Sequence, residues 1–525
     1  MNIRLTNLRQ IRPADDLKLL AARRLRVDVA DIRALTVLRT TVDARGRRPV
    51  RVLNLDLDVA HAQRVLARHS RDAQVGPVPQ PKGAFYEGPK RRLGSQPLVV
   101  GTGPAGLFLT LALLERGYTP IVIERGKALR PRWQDVNAYW NRGELQPESN
   151  VVYGDGGAGT FSDGKLTTRR NDPRNASILA TFADLAEAPD ILTAGKPHLG
   201  TNRLSRALLA LHERFAAAGV VVQFEHRLED LVVEGGRVVG AVVNGARIDT
   251  DAVFLATGHS ARDVYRTLAR HDVAMEARPF AVGARAEHPQ AMINRAQTGS
   301  HSPMEPADYL LAYNDRERGR SSYTFCMCPG GEVVAAGTEH DGLTVNGMSY
   351  SHRADRFANA AVVVTVNPED YGGEGPLAGL EFQRRLEAAA YQAGGGGHVA
   401  PAQRIGDFLE GSPSSGPIDT SYRRGVNAGT LIPLLPEVVT AYMRRGLRHF
   451  GRRIRGYDSN DGVLIGLETR TSSPVRVLRD PQSYESVNLP GLVPLGEGAG
   501  YAGGIMSSAS DGLRAAERIK PMHGE

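Results

Sequence analysis

The sequence has 525 residues, of which 41% are hydrophobic and 23% charged, and its formal net charge is +8 at pH 7. This is the composition of an ordinary globular protein, and the length is sufficient for two or three domains. The chain lacks an apolar stretch near the roughly 20 residues of a membrane-spanning helix, and its N-terminus lacks the apolar centre of a signal peptide. We therefore expect a cytoplasmic protein without a membrane span.

Residues 1–92 carry the positive charge, with 20 Lys and Arg against 9 Asp and Glu, whereas the rest of the chain is slightly negative. Short β-like runs alternate with an amphipathic helix and predict a small α+β domain, followed by a Pro- and Gly-rich linker. We expect a basic hairpin tip at Arg45, Arg47 and Arg48. This charge could bind RNA, an acidic carrier protein or an anionic substrate, or it could be only a solvated surface.

Residues 97–126 show the pattern of a nucleotide-binding βαβ unit. An apolar strand leads into the glycine turn Gly101, Gly103 and Gly106, an apolar helix and a second strand that ends at Glu124. The glycines let the main chain approach a pyrophosphate, and the helix N-terminus offers unpaired N–H groups. Glu124 can accept hydrogen bonds from both ribose hydroxyls. The pattern therefore predicts a Rossmann-like dinucleotide-binding domain in an α/β protein.

Residues 159–166, GTFSDGKL, match the phosphate-binding pattern G-x-x-x-x-G-K-[ST] except at Leu166, where a hydroxyl should hold Mg²⁺. The flanking residues lack the apolar strand and the helix that such a loop requires, and they include Pro173. We therefore predict another role for this loop. The alternative is an ordinary glycine turn with a solvated lysine.

The remaining segments complete the predicted domain organisation. Apolar strands continue to about residue 275, and a change to β-rich and helical segments then predicts an inserted α+β substrate domain. The predicted boundaries are 1–92 for the N-terminal domain and linker, 93–275 and 461–525 for the two parts of the nucleotide-binding domain, and 276–460 for the inserted domain.

Four short motifs resemble those of FAD proteins of the glutathione-reductase-like class: GTGPAG, ERG, FLATG and GEGAG. More narrowly, VVYGDGGAGTFSDGKLTTR, SYTFCMCPGGEVVAAG, LETRTSSPVR and GEGAGYAGGI resemble a bacterial family known only as uncharacterised FAD-dependent dehydrogenases, and the similarity covers nearly the whole chain. The resemblance implies an FAD-dependent oxidoreductase with a Rossmann-like FAD-binding domain of this class. It leaves the substrate open.

The resemblance also implies which residues contact the cofactor. The Gly-rich loop ending at Lys165 would wrap the flavin, and Lys165 would hold a phosphate or tune the ring. Glu497 stands where the class has an aspartate that binds the ribityl chain. The implied cofactor residues are Gly101, Gly103, Pro104, Ala105, Gly106, Glu124, Arg125, Gly159, Thr160, Ser162, Lys165, Leu228, Thr257, Gly258, Gly496, Glu497, Gly503, Gly504 and Ile505.

Three residues are the candidates for catalysis: Cys326, Cys328 and Arg470. The two cysteines lie on a probable strand, where alternation would place both thiols on one face. The strand resembles the cavity wall of geranylgeranyl reductases, so the thiols either take part in chemistry or pack as small hydrophobes. Arg470 suits an anionic substrate or the flavin, and a structural ion pair is the alternative.

The other polar candidates are weaker. Glu468 and Arg476 accompany Arg470 in the same stretch, and His259 and His352 could donate protons or could be ordinary histidines. The expected reaction is hydride transfer between flavin N5 and an organic substrate. NAD(P)H could act as a transient electron donor, since the sequence has no second G-x-G-x-x-G. The alternatives are a flavin-containing protein that binds or modifies RNA, and an FAD that is structural or redox-sensing.

Overall fold

The computed structural model describes residues 2–12, 14–43, 50–79, 86–168, 170–299 and 305–523. The predicted tip at Arg45, Arg47 and Arg48 lies outside these residues. The N-terminal part folds into β1 (Asn2–Gln10), α1 (Leu17–Leu25), β2 (Ile32–Asp43), β3 (Val50–Val59), α2 (Ala62–Arg68) and β4 (Val75–Pro77).

The N-terminal strands form one antiparallel sheet in the order β2-β3-β1-β4, the arrangement of a split βαβ domain. Period-2 alternation in β3 buries Leu53, Leu55 and Leu57 in a core with residues of both helices. Asp56, between two of these leucines, lies on the other face, where it pairs with Arg4 of β1. The sheet is therefore one-sided, and its outer face is polar.

The next segment builds the nucleotide-binding pattern and a small antiparallel sheet. Its elements are β5 (Leu98–Val100), α3 (Pro104–Glu115), β6 (Ile121–Glu124), α4 (Leu129–Arg142), α5 (Asn175–Leu185), α6 (Gly200–Ala217), β7 (Val222–Phe224), β8 (Leu228–Glu234), β9 (Arg237–Val243), β10 (Ala246–Asp249), β11 (Val253–Leu255) and α7 (Arg262–Arg270).

The chain then forms a β-rich segment before it returns. The elements are β12 (Met275–Ala277), β13 (Phe280–Pro289), α8 (Gln290–Thr298), β14 (Ala312–Asp315), β15 (Arg320–Cys328), β16 (Glu332–Ala335), β17 (Val345–Met348), β18 (Phe357–Val366), α9 (Pro368–Tyr371), α10 (Ala378–Gly394), β19 (Ala400–Arg404), α11 (Ile405–Glu410), β20 (Val426–Ala428), α12 (Glu437–Gly451), β21 (Val463–Glu468), β22 (Val475–Val477), β23 (Leu492–Pro494) and α13 (Ile505–Ala516).

A five-stranded parallel sheet has the order β23-β11-β5-β6-β7. The strand order reverses at β5, since β6 and β7 follow on one side and β11 and β23 on the other. A crevice outside the carboxyl ends of the strands forms at such a reversal, and ligands bind there. This topology puts the segments after β5, β6, β11 and β23 around one site.

A seven-stranded sheet has the order β14-β15-β18-β13-β21-β19-β20. Strand β21 belongs to it, so this sheet extends beyond the predicted boundary at residue 460. Strand β12 precedes the seven-stranded sheet in the chain and β22 follows it, and these two strands pair with each other in a separate two-stranded sheet. Residues just after β21 therefore lie where the two sheets meet.

Helix α4 also joins the two sheets. Its residues Val136, Tyr139 and Trp140 are buried in the core of the seven-stranded sheet, and Trp140 Nε1 donates to the carbonyl oxygen of Ala335 at 3.1 Å. Within the described residues, none of the helices combines the length and the apolar character needed to cross a bilayer.

Candidate functional site

A cavity opens at the carboxyl ends of the parallel strands and reaches the seven-stranded sheet. Most of the residues predicted to contact the cofactor line it, together with two of the three catalytic candidates. The cavity-lining members of the predicted set are Gly101, Gly103, Pro104, Ala105, Glu124, Arg125, Gly159, Ser162, Lys165, Leu228, Thr257, Gly258, Gly496, Glu497, Gly503, Gly504, Ile505, Cys326 and Arg470. The predicted residues outside this lining are Gly106, Thr160 and Cys328.

The glycine turn after β5 has two kinds of glycine. At Gly103 an added Cβ would meet no atom within 4 Å, so this main chain faces open space. Gly101 has a φ of +101°, and its Cβ would lie 2.6 Å from the carbonyl oxygen of Ala256. A Cβ at Gly106 would overlap the carbonyl oxygen of Gly101, so Gly106 lets α3 pack against β5 and does not face the cavity.

Glu124 at the end of β6 holds three loops together. Its Oε2 accepts from the main-chain N–H and the hydroxyl of Thr102, both at 3.0 Å. Its Oε1 accepts from the N–H groups of Gly126 at 3.0 Å and Gly154 at 2.9 Å. These four donors occupy the hydrogen-bonding capacity of the carboxylate. A ribose hydroxyl at Glu124 would therefore share or replace the Thr102 hydroxyl.

Arg132 organises the loop that follows, and the sequence analysis missed it. This fully buried side chain of α4 donates to the main-chain carbonyl groups of Asn150, Val151, Asp155 and Gly157. Burial lowers the pKa of Arg132 to about 10. A signal was available, because Leu129, Arg132, Val136 and Tyr139 recur at helical spacing and all four are buried.

Thr160 does not reach the cavity. Its hydroxyl donates to the carbonyl oxygen of Asp155 at 2.9 Å and accepts from Arg132 at 3.3 Å, and the residue borders a small apolar pocket beside α6. Ser162 does line the cavity, but its hydroxyl donates to the Gly159 carbonyl oxygen at 2.7 Å.

The loop GTFSDGKL is anchored by its apolar residues. Phe161 is fully buried and lies edge-on to Trp133, with ring centroids 4.7 Å apart. Leu166 is only 3% exposed and belongs to the core formed with α3, α5 and α6. The residue that breaks the triphosphate-binding pattern is therefore a core residue, as expected for a loop with another role.

Asp163 and Lys165 bring charge to this loop. Asp163 is 1% exposed; its carboxylate accepts from Arg353 Nε at 3.0 Å and from the Ser349 hydroxyl, and it lies 2.9 Å from Lys165 Nζ. Burial would raise the pKa of Asp163, but the charges of Lys165 and Arg353 outweigh it and hold the pKa at about 2. Lys165 Nζ makes this ion pair without a well-aligned hydrogen bond to any described group.

The two cysteines have different environments. Cys326 is half-buried and lines the cavity, whereas Cys328 is fully buried behind it. The pairing of β15 with β18 is irregular between Phe325 and Cys328, and Cys326 has a φ of +46°. The simple alternation that we assumed for this strand is thus interrupted by a bulge, which re-aims the side chains. A hydrogen bond from the Cys328 thiol, with the charges of Lys165 and Arg285, lowers the pKa of Cys326.

Arg285 and Arg470, two arginines at the junction of the sheets, are each paired with a carboxylate. Arg285, with no exposed surface, donates to Glu468 from Nε at 2.6 Å and from Nη2 at 2.9 Å. Arg470 donates to Glu387 from Nε at 2.8 Å and from Nη2 at 2.7 Å. Arg470 therefore has the ion pair that was the alternative to a catalytic role, and it still lines the cavity.

The other polar candidates divide between the cavity and the surface. His259 and Glu497 both line the cavity, with Nε2 and Oε1 3.8 Å apart. Burial lowers the pKa of His259 to about 4 and raises that of Glu497 to about 7. Arg476 instead pairs with Glu276, and exposed His352 stacks on Tyr350 outside the cavity.

Comparison with known proteins assigns the family. An uncharacterised protein of Clostridium beijerinckii is 40% identical over 529 residues, which cover 99% of this chain and 98% of that protein. The chain belongs to the same family. Family models match residues 188–316 as an FAD binding domain, residues 279–471 as an FAD-dependent protein C-terminal domain, and residues 1–60 as a domain of unknown function.

The two FAD models decide the biochemical class. The protein is an FAD-dependent oxidoreductase. Solved structures that are similar to it include a geranylgeranyl bacteriochlorophyll reductase-like protein from Thermoplasma acidophilum, with 14% identity, a TM-score of 0.33, and coverage of 81% of this chain and 77% of that one. Glycine oxidase from Bacillus cereus has 10% identity, a TM-score of 0.34, and coverage of 80% and 96%.

The cavity of the oxidoreductase fits FAD on structural grounds. Gly103, Gly258, Gly503 and Gly504 all line it, and an added Cβ at each would project into space with no atom within 4 Å. Four bare main-chain positions around one cavity allow close approach by a flat or extended ligand. Helices α3 and α13 both begin at this lining, so each can direct unpaired N–H groups at an anion.

Proposed function

We propose that the oxidoreductase transfers a hydride between FAD and an organic substrate held between its two large sheets. One observation carries this proposal: residues after the parallel strands and residues of the seven-stranded sheet line the same cavity. FAD, when bound, supplies hydride chemistry at its N5 atom, and the protein supplies binding and orientation. We propose the cofactor layout of the glutathione-reductase-like class.

In this layout the two ends of FAD meet different groups. The N-terminus of α3 would stabilise the pyrophosphate, and Glu124 with Arg125 would hold the nucleoside end. The N-terminus of α13, which begins at Ile505, would face the pyrimidine of the flavin and stabilise negative charge on the reduced ring. Lys165 lines the cavity and would act on a phosphate or on the ring.

The proposed substrate end combines apolar side chains with hydrogen-bonding groups, and most of its charged side chains are paired. Phe325 is 40% exposed and lines the cavity with Val345, Thr344 and Asn346. The nearby arginines are neutralised by bidentate carboxylates, so they offer less to an anion than the sequence suggested. This favours a substrate with apolar area and a few hydrogen-bonding groups.

Glu497 is the proposed proton-holding group. Burial raises its pKa to about 7, so it can take up or release a proton near neutral pH. His259, whose pKa burial lowers to about 4, is neutral under the same conditions. A neutral histidine beside a partly protonated carboxyl can relay or hold a proton at this side of the cavity.

We propose NAD(P)H as a transient electron donor that enters the same cavity. Anaerobic flavin reduction by NADH, NADPH and a metabolite panel tests the function and identifies the donor. Rapid bleaching of the flavin by a donor, followed by reoxidation with a substrate, supports hydride transfer. An FAD that binds but exchanges electrons with no panel member would instead favour a structural or sensing role.

Lys165→Met in the same assay separates two roles. A weaker FAD affinity indicates a phosphate contact, and a shifted flavin potential indicates an effect on the ring. Lys196→Met is the matched control, because Lys196 is exposed and pairs with Asp308 away from the cavity. We expect the control to bind and reduce FAD like the wild type.

An RNA or carrier-protein partner of the N-terminal domain stays a prediction without added support. Residues 1–79 contain no Phe, Tyr or Trp, so the domain lacks the aromatic side chains on which single-stranded bases stack. Some of its basic residues are also paired with carboxylates, as Arg4 is with Asp56 and Arg24 with Asp72. Phosphate contacts alone would make any RNA binding steeply salt-dependent.

A further inference from the structure

The bulge in β15 places two thiols together at the wall of the cofactor cavity. Cys326 lines the cavity and has a φ of +46°, a backbone conformation that residues other than glycine rarely adopt. The Cys328 Sγ lies 3.4 Å from the Cys326 carbonyl oxygen, so the buried thiol points back towards Cys326. Strained backbone of this kind is concentrated at functional sites.

The ion pairs around Cys326 leave one net positive charge, because Glu468 neutralises Arg285 whereas Asp163 alone is shared by Lys165 and Arg353. Arg285 Nη1 donates to the Cys326 carbonyl oxygen at 3.2 Å. Lys165, in the loop of residues 159–166, adds positive electrostatic potential at the Cys326 thiol. Asp163 is shared by Lys165 and Arg353, so this group of three keeps a net positive charge. The hydrogen bond from the Cys328 side chain and, after it, the nearby cations favour the thiolate, which is the reactive form of cysteine, and they lower the pKa of Cys326.

We propose that Cys326 and Cys328 form a reversible dithiol–disulfide couple that exchanges an electron pair with the bound flavin. This inference rests on the proposed function, because it requires FAD in the cavity that Cys326 lines. Cys326 would be the thiolate that faces the cofactor, and Cys328 would be its buried partner. The couple would store reducing equivalents between the electron donor and the substrate.

The exchange balances without a further reactant. The Cys326 thiolate and the Cys328 thiol together lose two electrons and one proton, and the Sγ–Sγ bond forms. The two electrons and the proton would pass to the oxidised flavin and give its reduced anion, so each side of the exchange carries one negative charge. In the reverse direction reduced flavin opens the disulfide. Attack from the cavity would fall on the Cys326 sulfur, so the Cys328 sulfur would leave and take up the proton. Cys326 would then be released as the thiolate, which the cations around it stabilise.

The short spacing suits a couple that cycles. A disulfide across the single residue Met327 closes a small ring, and departures from relaxed disulfide geometry store strain and make the bond more reducible. Strained or accessible disulfides are the labile, regulatory or catalytic ones, in contrast to structural crosslinks. The buried position of Cys328 restricts attack on the bond to the side of the cavity.

Anaerobic reductive titration of the FAD-loaded enzyme counts the electrons. After oxidation, the wild type should take up about four electron equivalents per FAD, against about two for Cys326→Ser and Cys328→Ser, because each disulfide is a two-electron couple. The chain has 2 cysteines, so a thiol count on the same samples has one interpretation. Neither cysteine should react with a thiol reagent after oxidation, and both should react after reduction.

The possible failures are distinguishable. A protein that binds no FAD contradicts the proposed function. A protein that binds FAD, takes about two electron equivalents in the wild type and keeps both thiols free after oxidation overturns the couple alone.

The pH dependence of the alkylation rate gives an independent readout of the Cys326 thiolate. Cys328→Ser should still be alkylated at Cys326. Lys165→Met should move the midpoint of the profile to higher pH, and a shift of one pKa unit slows the reaction about tenfold at pH values below the midpoint. The exposed Lys196→Met should leave the rate unchanged. Equal rates in the two lysine variants would remove Lys165 from the proposed activation.

Discussion

The two ends of the cavity are built in different ways. The proposed nucleotide end consists of a glycine turn, a helix N-terminus and a strand end within residues 97–126, and it would bind through the main chain. The other end combines Asp163, Cys326, Glu468 and Arg470, which distant segments of the chain supply. Main-chain recognition leaves a local pattern in a sequence, whereas side chains gathered by the fold do not.

Arg132→Met should disrupt the loop between the two ends of the cavity. We expect it to give the largest loss of stability among the variants proposed here. Arg132 donates to four main-chain carbonyl groups, and a buried acceptor left unpaired costs about 1–3 kcal/mol. We expect unfolding free energy to fall by about 4 kcal/mol and FAD retention to be lost. Urea unfolding and the flavin absorbance of the purified protein measure the two effects.

Arg130→Met on the same helix is the control, since Arg130 is exposed. It should change the unfolding free energy by less than about 0.5 kcal/mol, as surface substitutions usually do. Equal losses in the two variants would show that helix α4, and not the buried guanidinium, supports the loop.

Gly106→Ala tests the nucleotide end by itself. The new methyl group would overlap the Gly101 carbonyl oxygen and push α3 away from β5. Overpacking of this kind costs about 1–3 kcal/mol, and the shift of the helix N-terminus should weaken FAD binding more than tenfold. Fluorescence titration of the flavin-free protein with FAD gives the affinity.

Gly429→Ala is the matched control, because a Cβ there meets no atom within 4 Å and no positive φ requires glycine. Its FAD affinity should equal that of the wild type. If Gly106→Ala also kept wild-type affinity, the close packing of α3 on β5 would not be needed for the cofactor.

Glu497→Gln separates the electrostatics of the cavity from its shape. Burial raises the pKa of Glu497 to about 7, above the roughly 4.3 of an unfolded glutamate. A raised carboxyl pKa contributes stability that is complete below the unfolded value and is lost as pH rises through the folded value. The wild type should therefore lose up to about 3 kcal/mol relative to Glu497→Gln between pH 4.5 and 7.

Unfolding of the flavin-free proteins across this pH range measures the difference. It should grow with pH and become constant above about pH 8, where Glu497 is ionised in both states. A difference that does not vary with pH would show that Glu497 keeps an ordinary pKa in the cavity.

Parts of the proposed cofactor site that adjacent residues form could be predicted from the sequence. Gly103, Glu124 and the start of α13 were predicted because a turn, a strand end and a helix N-terminus each occupy adjacent positions. Arg285 and Glu387 were missed, since each is defined by a partner more than 80 residues away. The position of Cys328 behind the cavity wall depends on a bulge, and no pattern of residue types marks that bulge.

Leu166→Thr gives the smallest expected effect and tests the loop that joins the two ends. The substitution completes the G-x-x-x-x-G-K-[ST] pattern but removes a side chain that is 3% exposed in the core. We expect a loss of about 2 kcal/mol in unfolding free energy and no gain of ATP binding, because the loop lacks the following helix. Leu192→Thr, at a side chain 43% exposed, should cost less than about 0.5 kcal/mol. Tight ATP binding by Leu166→Thr would show that a single hydroxyl separates this loop from a nucleotide triphosphate site. The eight-residue motif would then be sufficient for binding without the flanking strand and helix.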